Sequence, residues 1–60
     1  MIRVIAIEDV DFYFIKCDEE YLINKDSLYG EFDGEWSADV YSVDEEYIGH
    51  LYLSHFRVKV

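Results

Sequence analysis

Proline is missing from this chain, cysteine occurs once, and glycine appears only three times. Without proline there is no stiff, extended linker and no proline-rich recognition segment. The lone Cys17 cannot form an intramolecular disulfide, whereas small secreted domains usually rely on several, so a reducing, cytoplasmic setting is expected. Basic side chains are also scarce: 5 Lys and Arg against 14 Asp and Glu give a net charge of −9. Such a surface repels phosphate, which argues against direct binding to nucleic acid or to an anionic membrane. No apolar run approaches a membrane span, and Glu8, Asp9 and Asp11 interrupt the apolar start before it resembles a signal peptide. With so little glycine there is no phosphate-cradling loop either.

What is present is apolar and aromatic: 52% of residues are hydrophobic and 18% aromatic, too much for a disordered acidic tail. Sixty residues make a single domain, residues 1–60. A chain of this size hides only about 60% of its unfolded surface, leaving little room for an elaborate active site. No enzymatic activity is expected.

The segments between acidic bunches are rich in Ile, Val, Tyr and Phe, residues suited to a pleated, half-buried surface. Residues 2–8 read as a strand covered on both faces, and residues 12–17 and 21–23 as two more. Asp33-Gly34 is the clearest turn signal, since glycine accepts the positive φ of hairpin turns. A three-residue loop over residues 32–34 would oppose Glu31 to Glu35, let Trp36 cover Gly30, and put Leu28, Trp36, Ala38 and Val40 on one buried face. The last third admits two readings. As a strand it places Ile48, Tyr52, Phe56, Val58 and Val60 on one face. As a helix over about residues 44–55 it follows a Ser42-x-x-Glu45 capping box, although Gly49 weakens that option. The fold class is therefore all-β, a small antiparallel meander or barrel with paired termini, or alternatively α+β with that helix packed on the sheet. Phe12, Phe14, Tyr21, Phe32, Trp36, Tyr52 and Phe56 are expected in the core, and Tyr13, Tyr29 and Tyr41 at the surface.

Three pieces stand in a familiar order: Ala6-Ile7-Glu8-Asp9-Val10, then Trp36 with Ala38, then Leu53-Ser54-His55-Phe56 followed by Val58. They resemble the Ala-Leu-Tyr-Asp-Tyr start, the tryptophan-led third strand and the Pro-Ser-Asn-Tyr turn of Src homology 3 domains. The resemblance spans most of the chain and implies a five-stranded barrel that binds extended peptides beside its tryptophan. Glu8 and Val10 replace both tyrosines of the first motif, Leu53 the proline and Phe56 the last tyrosine, so the proline-peptide groove is mostly dismantled. Trp36 and the acids Asp9 and Asp11 remain, with residues 24–35 corresponding to the loop that flanks the groove. Likeness of fold does not carry function with it.

Metal chemistry finds little support. Cys17, His50 and His55 are too few for a closed zinc site, and the histidines would point to opposite faces of a strand. They read as two partly exposed histidines and a small buried thiol. Placing Gly34 at the sixth position of a calcium loop puts Tyr29 and Val40 where carboxylates are required. No cofactor or metal is expected.

The acids are the remaining signal. Between residues 4 and 56, fourteen acids face only Lys16 and Lys25. Asp9 with Asp11, and Glu31, Asp33 and Glu35, alternate along the chain, which on a strand spaces them roughly 6.8 Å apart on one side. Such rows imitate a phosphate backbone. The expected function is a non-catalytic, protein-binding inhibitor or regulator that occupies a basic, nucleic-acid-binding surface of a partner, as small phage-encoded antagonists of host or defence proteins do. The alternative is a peptide-binding or assembly module centred on Trp36. Asp9, Asp11, Glu31, Asp33, Glu35 and Trp36 are the candidate partner-binding residues. A plainer reading is a coat that keeps a small protein soluble. Against it, repulsion among uncompensated charges is costly where stability is only about 3 to 9 kcal/mol.

Overall fold

Among the described residues, six strands pair in one antiparallel sheet that curls into a half-barrel: β1 (Ile2–Ala6), β2 (Glu20–Ile23), β3 (Tyr29–Gly30), β4 (Trp36–Tyr41), β5 (Tyr47–Tyr52) and β6 (Phe56–Val58). The computed structural model describes residues 1–30 and 34–59. In space the strands run β6-β1-β2-β4-β5, with β3 beside the first residues of β4. Short 3-10 turns at Asp11–Tyr13, Lys25–Ser27 and Leu53–His55 sit in the connections. Among the described residues, no helix is long and apolar enough to cross a membrane.

Period-two burial builds the interior. Val4 and Ala6 of β1, Tyr21 and Ile23 of β2, Ala38 and Val40 of β4, Leu51 of β5 and Phe56 of β6 point inward, and Ile15 joins them from a loop. The termini pair as expected, with Val4 opposite Val58 and Ala6 opposite Phe56, and Lys59 N–H donating to the Arg3 carbonyl.

The last third is strand, not helix. Ser42 is not a helix cap: its Oγ accepts the Asp44 and Glu46 amides, and its backbone closes a tight hairpin with Glu46 in which Glu45 takes φ 66°. Within β5 the inward face is Gly49 and Leu51, while Ile48 is half-buried and Tyr52 exposed, the opposite parity from the one expected. The reason lies 36 residues upstream in the chain. A Cβ on Gly49 would come within 2.5 Å of the Tyr13 ring, so Tyr13 fills the space a side chain would take. The 3-10 turn after β5 then turns Phe56 inward.

Residues 12–17 are likewise not a strand. The segment between β1 and β2 folds back on itself, with Val10 and Ile15 exchanging backbone hydrogen bonds around the 3-10 turn and Phe14 in the left-handed region at φ 58°. Its side chains still alternate, but Tyr13 and Ile15 face the core and Phe12 and Phe14 face solvent. The core set therefore needs correction at Phe12, Phe14, Trp36 and Tyr52, all exposed, and at Leu28, also exposed. Tyr29 is exposed as expected, whereas Tyr13 and Tyr41 are half-buried. Gly30 does pair with Trp36, whose ring lies about 3.1 Å from where a Gly30 Cβ would stand. The turn itself, with Glu31, Phe32 and Asp33, lies outside the described residues, as does Val60.

Candidate functional site: an acidic loop and a histidine-lined cavity

The loop spanning residues 7–19 carries five acids and one base. Its base is closed by backbone bonds from Ala6 N–H to the Glu19 carbonyl and from Asp18 N–H to the Ala6 carbonyl. Asp9 Oδ1 accepts the Cys17 amide at 2.8 Å. Two acidic bunches separate in sequence thus meet here, Asp9 and Asp11 from one and Asp18 and Glu19 from the other. The same loop carries two phenylalanines, Phe12 at 84% and Phe14 at 85% exposure.

Cys17 is exposed rather than buried as expected, and its pKa is raised by partial desolvation and then by the Asp18 and Asp9 charges. A thiol held protonated in this way is a poor nucleophile.

Of the candidate residues, Asp9 and Asp11 sit in this loop, and Asp11 forms no ion pair with any described residue. Glu35 precedes β4 and Trp36 opens it; both are exposed, Trp36 at 54%. Glu31 and Asp33 fall outside the described residues, so the alternating row they would form with Glu35 does too. The few cations are spent unevenly. Arg3 and Lys59 both pair with Glu20, at 2.8 and 2.7 Å, and hold its carboxyl below the usual carboxylate range, Lys59 most of all. Most other described carboxylates, among them Asp11, Asp26 and Glu45, have no ion pair within the described chain.

A cavity of about 270 Å³ opens beside the same loop. Val10 and Tyr13 line it from the loop, Ser37 from β4, Leu51 and Tyr52 from β5. His50 and His55 complete it, so the 3-10 turn brings to one place two histidines expected on opposite faces. Each is backed by a carboxylate. His50 Nδ1 donates to Asp39 Oδ1 at 2.9 Å, and its Nε2 lies 2.8 Å from Ser37 Oγ; His55 Nδ1 donates to Glu8 Oε2. The register of β4 and β5 makes the first chain possible, because Asp39 faces His50 directly and Ser37 stands two residues away on the same side. Among the described residues no three His, Cys, Asp or Glu gather as a metal site. The sequence offered one hint of this network, the alternate spacing of Ser37 and Asp39, but the strand carrying His50 had no fixed register.

No family model matches the chain, and no curated protein or solved structure is found to be similar to it.

Proposed function

We propose that this chain is a small acidic protein-binding module that docks on a basic surface of a partner protein, with the loop over residues 7–19 as the contact face. The observation that carries the reading is the pair Phe12 and Phe14, almost wholly exposed on a loop where two acidic bunches converge. Exposed aromatics of this kind anchor interfaces, while surrounding charge steers the encounter and selects a cationic partner. A partner whose basic surface normally holds nucleic acid fits that chemistry, and occupation of it would make the protein an inhibitor or regulator. A cytoplasmic partner belongs to the same proposal.

The strand order, with a 3-10 turn between the last two strands, supports reading the half-barrel as Src homology 3-like. On that reading Asp9, Asp11, Glu35 and Trp36 flank the former peptide groove, and Trp36→Ala distinguishes the alternative. A peptide module loses its ligand with this change, whereas a loop-docked inhibitor retains most of its affinity.

The reading is non-catalytic. Ser37, His50 and Asp39 are linked like a catalytic triad, but Ser37 is 4% exposed and its Oγ also lies 3.4 Å from the Tyr29 carbonyl. A serine-directed fluorophosphonate is therefore expected to leave Ser37 unlabelled; covalent labelling dependent on His50 would contradict this.

The test is partner capture from host extract by the intact protein and by the double variant Phe12→Ser, Phe14→Ser. Retention of the partner by the parent alone agrees with the proposal. Equal retention by the variant would remove the loop as contact face.

A further inference from the structure

We infer that the cavity between the 7–19 loop and β5 is an arginine-binding pocket, receiving a guanidinium side chain from the basic partner proposed above, on which this inference rests. The argument is one of hydrogen-bonding polarity. A carboxylate can only accept, so Glu8 and Asp39 fix the proton of each imidazole on Nδ1. In the neutral ring Nε2 is then an acceptor. Ser37 donates its one hydroxyl proton to His50 Nε2, which satisfies that ring, so His55 Nε2 is the acceptor left for a ligand. The polar groups of the cavity thus ask for a donor.

The walls and the surrounding charge ask for a cationic one. Tyr13 and Tyr52 supply aromatic surface on which a guanidinium stacks, and Val10 and Leu51 supply apolar surface for its methylene stem. Negative charge from Glu8 and Asp39 stands directly behind the two imidazoles. An anion would meet lone pairs and carboxylates here; a neutral apolar group would leave the His55 acceptor unpaired.

The experiment is an amide-resolved NMR titration of the intact chain with two capped tripeptides, glycine-arginine-glycine and the same peptide with uncharged citrulline at its centre. The arginine peptide is expected to shift Val10, Tyr13, His50 and Tyr52, with the citrulline peptide at least about tenfold weaker. Tyr52→Ser, a change at a side chain 45% exposed, should weaken the arginine peptide about tenfold and leave the urea midpoint nearly unchanged. Equal binding of both peptides, undiminished binding by the Tyr52 variant, or no response to either would overturn the pocket. Shifts confined to the acidic hairpin over residues 44–46 would also overturn it while agreeing with the acidic-surface reading. That reading stands or falls separately, on partner capture.

Discussion

Phe14 combines two features that rarely coincide without cause. It is a large apolar side chain left in water, and its backbone occupies the left-handed region at a cost of about 1 kcal/mol for a non-glycine residue. Relief of that strain makes a clean test: Phe14→Gly should keep or raise folding stability by about 1 kcal/mol in urea unfolding while weakening partner capture. A loss of stability would mean that the ring packs on something in the free protein. Gly49 is the converse case, a small residue required because the Tyr13 ring occupies its side-chain space. Gly49→Ala should cost about 1 to 3 kcal/mol by forcing Tyr13 and its loop outward. Neither residue declares its role in the sequence. Phe12 and Phe14 alternate like core residues, and which parity faces inward depends on a turn at Phe14 that no glycine or asparagine marks.

At the scale of elements, the 7–19 loop is held by one deeply inserted side chain and a few backbone bonds. Ile15 is fully buried, and its replacement by alanine should cost about 2 to 5 kcal/mol. The first residue of β2, directly after the loop, depends on charge. Glu20 gathers Arg3 from β1 and Lys59 beyond β6, tying the strands that bring the two termini together. Its pKa is lowered on folding, so it contributes stability above the ordinary carboxylate range, near pH 4.3. That contribution is lost as pH falls through its depressed folded value. Glu20→Gln should therefore lower the Tm at pH 7 and shrink the difference from the parent as pH falls toward 3. The strands themselves were largely legible, β1, β2 and the pairing of Trp36 with Gly30 among them, because β-branched and aromatic residues cluster there and Gly30 needs a cover. The Ser42 segment was not: a hydroxyl that accepts two nearby amides serves a helix start and a hairpin equally well, and only the partner strand decides.

Across the whole molecule, the fourteen acids and five bases of the chain do not neutralise one another, and two of the bases converge on one carboxylate. Screening should relieve the resulting repulsion, so raising salt from 20 to about 500 mM should raise the Tm. The charge imbalance was plain from composition, while the all-β class was legible in the strand-forming segments with a helix over about residues 44–55 left open. The spatial arrangement was not, because the meeting of Asp9 with Asp18 around Cys17, and of His50 with His55 across one cavity, depends on chain reversals with no strong local signal.

The most direct measurement is the affinity of the captured partner as a function of salt, repeated with duplex DNA as competitor. The account predicts that affinity falls by at least about tenfold from 50 to 500 mM salt and that DNA displaces this protein. Binding unchanged by salt, with DNA and this protein held by the partner together, would contradict it.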